Sequence, residues 1–214
     1  MIALALISGL GGLNIVNSPE AAAFFEWTGE KIEEAREGNE SYKDINFEAL
    51  AAAYGTIEGN YSSYGSYVCD RDGNCGRGLG RYQYMSYRQD VRKLLSATKK
   101  GRSILAAVDA GMGLNELSSS HPLDKVFTPK QQDELFRGAQ KRNIEQAIAE
   151  GMEGDRIIER IGQIHFGGPG STIDGGASDI HNRLSLKTYG KKLKQNYFLH
   201  CRRVDLIFFF SIKT

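Results

Sequence analysis

The stretch NFEALAAAYGTIEG, from Asn46 to Gly59, restricts the fold most, because its apolar residues recur at helical spacing until a glycine ends it. The apolar stripe comprises Phe47, Leu50, Ala51 and Tyr54. Glu58 follows Tyr54 by four residues and therefore lies on the same face. Burial of this carboxyl would disfavour its ionised form and raise its pKa, although a glutamate at a helix end can also turn out to water.

Helical periodicity also dominates the rest of the chain. The predicted helices begin near Ser86, include Ile104 to Val108, run from Thr128 to Ile148, run from Asp155 to Phe166, and extend from about Leu184 to Leu199. The clearest start is Thr128-Pro129-Lys130-Gln131, which predicts a reciprocal cap with proline in the first turn. Strands and helices do not alternate and no repeat is visible, so we predict a mainly helical fold, not a doubly wound or barrel fold.

Charge and composition exclude some classes of partner. The 214 residues include 27 Lys and Arg against 26 Asp and Glu, so no broad basic face favours nucleic acid. Twenty-five glycines and only four prolines are typical of short helices joined by glycine-rich loops. Ten tyrosines supply aromatic hydroxyls that can bond a polar ligand such as carbohydrate.

The ends of the chain differ from its centre. Residues 1–23 are mostly apolar and close with Ala21-Ala22-Ala23, which predicts an export signal, although the basic residues that usually precede the apolar core are missing. An apolar first helix is the alternative. Residues 24–44 are charged and predict a linker or surface helix before a domain at 45–200. The tail, 201–214, contains an apolar run too short for a membrane span, and we predict no role for it.

Two cysteines flank a tight turn. Cys69 and Cys75 enclose DRDGN, a spacing that suits a small hairpin closed by a disulfide. Such a bond would agree with export to an oxidising compartment, and hence with a periplasmic or secreted location. The rival interpretation is a metal site, but a second cysteine pair or nearby histidines are missing. We therefore expect neither a metal nor a cofactor.

Four motifs follow one another in a familiar order. They are Glu58-Gly59, the loop GRGLGRYQYM at 76–85, the turn HFGGPG at 165–170, and Tyr189 in a final basic helix. This order resembles the lytic transglycosylase SLT domain of the lysozyme-like superfamily, in the variant found in phage- and plasmid-borne cell-wall hydrolases. The resemblance covers about residues 45–198. It implies a mainly α, α+β lysozyme-like fold in which a small β-hairpin lines a glycan-binding groove.

The resemblance also implies roles for single residues. Glu58 would be the catalytic acid and base, and Tyr189 would match the late tyrosine near that carboxylate. Gln83 would line the groove and contact substrate, and Gly80 would let the backbone pass close to the sugar. The implied substrate-binding set is Gly80, Tyr82, Gln83, His165, Gly168 and Tyr189. The alternative for the loop at 76–85 is a glycine-rich connection whose tyrosines fill a core. His165 also lies on an isoleucine face, where a packed core histidine is the alternative.

The implied reaction breaks the β-1,4 bond between N-acetylmuramic acid and N-acetylglucosamine. A transglycosylase needs one carboxyl, whereas a hydrolase usually adds a second, for which Asp70, Asp72, Asp174 and Asp179 are candidates. Each of these aspartates also suits a turn or a cap. A catalytically silent glycan-binding or assembly protein is a third alternative. The expected partner is the peptidoglycan glycan strand, with secretion, conjugation or phage assembly left open, and we expect a monomer.

Overall fold

The computed structural model describes residues 41–70, 72–177 and 184–211. These residues form seven α-helices and five short strands. The strands are β1 (Ser41–Tyr42), β2 (Ile45–Asn46), β3 (Tyr64–Cys69), β4 (Cys75–Leu79) and β5 (Tyr84–Met85). The helices are α1 (Phe47–Glu58), α2 (Gln89–Ser96), α3 (Lys99–Asp109), α4 (Leu114–Ser120), α5 (Pro129–Ala149), α6 (Asp155–Gly167) and α7 (Leu186–Ser211). A mixed α and β fold with mostly helical content is therefore present, in agreement with the coarse fold class predicted.

The strands form two antiparallel sheets. One is the β1–β2 hairpin, which the sequence did not predict, and the other has the order β3-β4-β5, with β3 at its edge. Cys69 lies opposite Cys75 in the β3–β4 register, and a disulfide joins them. The turn between these cysteines is closed by the Asp70 carboxylate, which accepts hydrogen bonds from the amides of Asp72 and Asn74.

Local signals explain where α1 begins and ends. The Asn46 side chain caps its first turn by accepting a hydrogen bond from the Ala49 amide. Gly59 ends it with φ +154°, and a Cβ atom at that position would lie 2.8 Å from Ser63 Oγ. A residue with a side chain would therefore be strained directly after Glu58. The predicted helix over this stretch is confirmed.

The later helices agree with the predictions in position but not in every boundary. The reciprocal cap between Thr128 and Gln131 is present at the start of α5, as predicted. The predicted start of α6 at Asp155 is confirmed, with Gly154 in the cap position. α7 continues to Ser211, well beyond the predicted end, so the tail is helical that far. The short helix α4 was not predicted.

The core lies where α1, α6 and α7 pack together, with α5 against α1 and α6. Its buried centre includes Tyr54, Phe136, Ile161, Tyr189 and Leu193. Within the described part of the chain, none of the helices is long and apolar enough to cross a membrane. The predicted signal at 1–23, and the predicted linker as far as residue 40, lie outside the described residues.

Candidate functional site

Glu58 is the last residue of α1, and its side chain is only partly exposed. Tyr189, on α7, donates its hydroxyl proton in a short hydrogen bond to Glu58 Oε1. Burial raises the pKa of Glu58, while the Tyr189 hydrogen bond and the positive charge of Lys192 act in the opposite direction. Burial outweighs both, so this carboxyl holds its proton to a higher pH than an ordinary glutamate does.

Tyr189 is fixed by its own surroundings. Its ring is buried, stacks on Phe166 with centroids 4.8 Å apart, and lies parallel to His165 at 6.4 Å. Burial, followed by the nearby Glu58 charge, raises the pKa of Tyr189 well above its ordinary value. The hydroxyl is therefore neutral across the physiological range and serves Glu58 as a donor. The structure thus brings together Glu58 and Tyr189, as the resemblance implied.

His165 lies beneath this pair. Its Nε2 is 3.0 Å from the Tyr82 carbonyl oxygen, and its Nδ1 is 3.5 Å from Nε2 of Gln140. Burial, helped by the charge of Arg88, lowers the pKa of His165 to about 4, so the ring is neutral near pH 7. A neutral imidazole that donates from Nε2 and accepts at Nδ1 has both nitrogens engaged within the protein. This geometry fits the packed histidine, not a residue that bonds substrate.

Gln83 lies close to the catalytic candidate. Its amide Nε2 donates to the Gly80 carbonyl at 2.8 Å and is 3.9 Å from the Cβ position of Gly59, the residue that follows Glu58. Gln83 adopts φ +48°, an uncommon conformation for a residue with a side chain. The loop therefore holds the partly exposed Gln83 beside the end of α1, and its implied contact with substrate stays a prediction.

The structure gives a reason within the protein for glycine at position 80. It adopts φ +73°, and a side chain there would collide with the amide of Gln132. Gln132 is itself buried, and its Oε1 accepts a hydrogen bond from the Arg81 amide at 2.8 Å. Glycine at position 80 thus makes room for the Gln132 side chain, and the implied approach of a sugar to Gly80 stays a prediction.

The expectation that Tyr82 contacts substrate disagrees with its burial. Its side chain is 1% exposed, and its ring stacks on Phe136 with centroids 4.1 Å apart. Its hydroxyl donates to Asp133 Oδ1 at 2.5 Å. The ring therefore belongs to the core, and the polar end of the side chain already has an acceptor.

The turn after α6 is fixed by contacts with neighbouring helices. Gly168 ends α6 with φ +81°, and the next residue, Pro169, accepts a hydrogen bond at its carbonyl from Gln146 of α5 at 2.8 Å. The same motif also reaches α7, where Phe166 stacks on Tyr189, and the implied contact of Gly168 with substrate stays a prediction.

The candidates for a second carboxylate are engaged elsewhere. Asp70 closes the hairpin turn, Asp72 is exposed in that turn, and Asp174 pairs with Arg156 at 2.9 Å. Asp179 lies outside the described residues. Within the ranges that the structure describes, no group of three His, Cys, Asp or Glu side chains is placed to hold a metal ion.

Two open depressions lie beside β3. The first, of about 420 Å³, begins at Asn60, two residues after Glu58, and continues past Ser63 and Tyr64 to His121. The second, of about 590 Å³, adjoins it, because Leu114 lines both. Neither is lined by Glu58 itself. The sequence did not indicate this surface, since one wall comes from the unpredicted helix α4.

Sequence reasoning also missed Lys192 and the part played by Phe166. Lys192 follows Tyr189 by three residues, so helical spacing could have placed it near Glu58 once α7 was docked on α1. In the sequence, Phe166 was recognisable only as part of the late turn.

Comparison with known proteins adds nothing to these assignments: no family model, no curated protein and no solved structure matches the chain.

Proposed function

We propose that the chain is a peptidoglycan-cleaving lytic transglycosylase in which Glu58 is the general acid and base. One observation carries the proposal: a partly exposed carboxyl at a helix end has its pKa raised by burial and is held by a neutral donor, Tyr189. A general acid needs a proton that is retained near neutral pH and a fixed direction for its delivery. The order of the sequence motifs supports the choice of substrate.

The proposed reaction uses one carboxyl twice. Tyr189 occupies Oε1 of Glu58, which leaves Oε2 to carry the acidic proton. Oε2 protonates the bridging glycosidic oxygen as the bond between that oxygen and C1 of N-acetylmuramic acid breaks. The 6-hydroxyl of the same sugar then attacks C1 and returns its proton to Glu58. The products are a 1,6-anhydro sugar and a free 4-hydroxyl, and no water is consumed.

The alternative of a lysozyme-type hydrolase needs a carboxylate that activates water. Asp70 and Asp174, two of the candidates, already make hydrogen bonds or ion pairs within the protein. The one-carboxyl reaction is therefore the better fit to the described residues. The disulfide between Cys69 and Cys75 supports a periplasmic or secreted location, where the wall is accessible.

Mass spectrometry of fragments released from purified peptidoglycan tests the proposal. We expect anhydro-muropeptides from the native protein and at least about 100-fold less product from Glu58→Gln, because an amide cannot deliver the proton. Glu134→Gln is the matched control, since this glutamate is exposed on α5. It should release product at the native rate.

Other outcomes would replace the proposal. Fragments with reducing ends would assign a hydrolase, and turnover by Glu58→Gln near the native rate would remove Glu58 from the mechanism. If the folded native protein released no fragments, the alternative of a glycan-binding or assembly protein would be favoured. Binding of the same peptidoglycan by the Glu58→Gln protein, measured by co-sedimentation, would then decide whether glycan is the ligand at all.

A further inference from the structure

Helix α7 packs its inner face on α1 and α6. The buried side chains of this face recur at helical spacing and are Leu186, Tyr189, Leu193 and Tyr197. They complete the contact between α7 and the core. The opposite side of the helix lies outside this core and takes no part in the hydrogen bond between Tyr189 and Glu58.

The outer face of α7, as we call it, comprises five exposed residues: Lys191, Lys192, Gln195, Phe198 and Leu199. Phe198 follows Lys191 by seven residues, and Leu199 follows Lys192 by seven. Each pair therefore lies about two turns apart on one side of the helix. Gln195 lies between the two pairs. The result is a continuous patch in which two cations lie beside two large apolar side chains.

The two apolar side chains of this patch are open to water. Phe198 is 36% exposed and Leu199 is 49% exposed, and neither belongs to the core. The Phe198 ring packs edge-on against Tyr197, with ring centroids 5.3 Å apart, so its position is fixed. Single exposed apolar residues are ordinary, whereas two neighbours on a face bordered by cations are typical of a contact surface.

Positive charge is concentrated on α7. Residues 184–203 contain six Lys and Arg and no Asp or Glu, although the whole chain has 27 basic against 26 acidic residues. Lys194 pairs inward with Glu159 at 2.6 Å. Lys191 and Lys192 are exposed, so their charge faces water. The outer face therefore attracts anions, and it does so next to an apolar surface.

The helix continues past the outer face into an apolar sequence. α7 extends to Ser211, and residues 202–210 read RRVDLIFFF. The five-residue apolar run at 206–210 is too short to span a bilayer. Basic residues combined with phenylalanine and leucine are the composition of helices that lie in the surface of a membrane.

We propose that the outer face of α7 binds the surface of an anionic lipid bilayer. Phe198 and Leu199 enter the edge of the hydrocarbon, and Lys191 and Lys192 contact the headgroup phosphates. Lysine suits this position, because its long stem lies along apolar surface while its ammonium group reaches the headgroups. The inference goes beyond the proposed function and does not depend on it, since it uses no property of Glu58.

Two other partners fit the outer face less well. A second copy of the chain, related by a two-fold axis, would bring Lys191 and Lys192 against the same two lysines, and like charges repel. A nucleic acid would meet the lysines with its phosphates but would leave Phe198 and Leu199 in contact with water. A bilayer with anionic headgroups satisfies both the cations and the apolar pair.

Co-sedimentation of the full chain with lipid vesicles tests the proposal. One set of vesicles contains phosphatidylglycerol and phosphatidylcholine in equal amounts, and the other contains phosphatidylcholine alone. We expect at least about ten-fold stronger binding to the anionic vesicles, with the difference shrinking as salt rises. Phe198→Ser combined with Leu199→Ser should reduce binding to anionic vesicles by about ten-fold, because two apolar contacts are lost. Lys191→Gln should reduce it by about five-fold.

Two matched variants control for changes elsewhere on the surface. Ile148→Ser removes an exposed apolar side chain from α5, and Lys100→Gln removes an exposed cation from α3. Both should bind anionic vesicles like the native protein. All the substituted side chains are exposed, so we expect the melting temperature to be unchanged in every variant, which shows that the fold is retained.

A fluorescent probe locates the contact on the helix. The chain has one tryptophan, Trp27, and Trp27→Phe makes Phe198→Trp the single emitter of its kind. With anionic vesicles, the emission of Phe198→Trp should move to shorter wavelength and be quenched by brominated acyl chains, because the ring enters the hydrocarbon. Ile148→Trp in the same background is the control and should show neither change.

Several results would overturn the inference. Failure of the folded native chain to bind anionic vesicles would refute it. Unchanged binding after Phe198→Ser with Leu199→Ser would place the lipid contact elsewhere in the chain, and equal binding to both kinds of vesicle would remove the role of the lysines. A dimer in sedimentation velocity that the double variant loses, without vesicle binding, would assign the face to a second copy.

Binding of duplex DNA in place of vesicles, lost in Lys191→Gln, would assign the outer face to nucleic acid and would also overturn the inference. None of these measurements depends on release of peptidoglycan fragments. The membrane contact and the proposed function of Glu58 can therefore fail separately.

Discussion

Two glutamates enclosed by this protein behave in opposite ways. Burial by itself raises the pKa of both Glu58 and Glu159. Glu159, whose side chain is 6% exposed, meets Lys194 Nζ at 2.6 Å and the guanidinium of Arg156, and these cations hold its pKa below the ordinary value. Glu58 meets a neutral hydroxyl, so burial prevails. The charge of the partner therefore decides whether an enclosed carboxyl is a fixed anion or an acid that can release its proton.

The surroundings of the two glutamates extend this difference. Near Glu159, the buried Arg160 pairs with Glu150 at 2.5 Å and 2.9 Å and donates to the Ser171 carbonyl at 2.8 Å. Permanent charges thus fix the loop that follows α6. Around Glu58, the enclosed partners are tyrosines and a neutral histidine. Lys192 is the cation that acts on it, and Lys192 is exposed.

The largest effect on stability should come from removing the ion pair between Arg160 and Glu150. Arg160→Met keeps the volume of a buried side chain but leaves Glu150 without its cation, which we expect to lower the free energy of unfolding by about 3 kcal/mol. Urea denaturation of the native and variant proteins measures this decrease in the free energy of unfolding. Addition of Glu150→Gln should restore part of the loss, because the uncompensated charge is then removed. A loss below about 0.5 kcal/mol would mean that this pair does not hold the loop.

The comparison also predicts stability changes of opposite sign with pH. The folded-state pKa of Glu58 is raised, so its stability contribution is complete below its ordinary pKa of 4.5 and is lost as pH rises through the folded value. Glu58→Gln should therefore melt like the native protein at pH 4 and at a higher temperature at pH 7. The pKa of Glu159 is lowered, so Glu159→Gln should melt at a lower temperature at pH 7, with the deficit shrinking as pH falls towards 3.

Thermal melts of both variants across this pH range measure the two effects. The two differences from native Tm should change with pH in opposite directions. If Glu58→Gln and Glu159→Gln shifted Tm in the same direction at pH 7, the partner charge would not be the deciding factor.

The sequence predicted what depends on near neighbours. Helix α1, the place of Glu58 on its apolar face, the cap at Thr128 and the hairpin around Cys69 all arise from residues within a few positions of one another. The role of Gly80 could not be predicted in this way, because Gln132, which needs the space, is 52 positions away. Burial of Tyr82 depends on α5 in the same manner. Contacts made by docking of distant helices leave no periodic trace in the chain.

Tyr189→Phe tests how the neutral hydroxyl partner affects the pKa of Glu58. Loss of the hydroxyl removes a hydrogen bond that lowers the pKa of Glu58, so that pKa should rise further. If Glu58 is the general acid, the alkaline limb of the activity profile then moves to higher pH, because the acid stays protonated longer. We expect kcat at the optimum to fall by less than about ten-fold, since Glu58 remains. A pH–rate profile for peptidoglycan cleavage checks both expectations, and an alkaline limb that moves to lower pH would contradict this account of Tyr189.

Lys192→Gln should have the smallest effect on activity. It should shift the alkaline limb of the pH–rate profile in the same direction as Tyr189→Phe does. The positive charge of Lys192 lowers the pKa of Glu58, but the side chain is exposed, so water and salt weaken its influence. The alkaline limb should therefore move to higher pH by less than in Tyr189→Phe. In the native protein, higher salt concentration should move it in the same direction, because screening mimics removal of the charge. Lys191→Gln, one position earlier and also exposed, is the matched control and should leave the limb in place. A larger shift from Lys192→Gln than from Tyr189→Phe would mean that a cation, not a neutral hydroxyl, governs Glu58, and the contrast with Glu159 would then be one of degree.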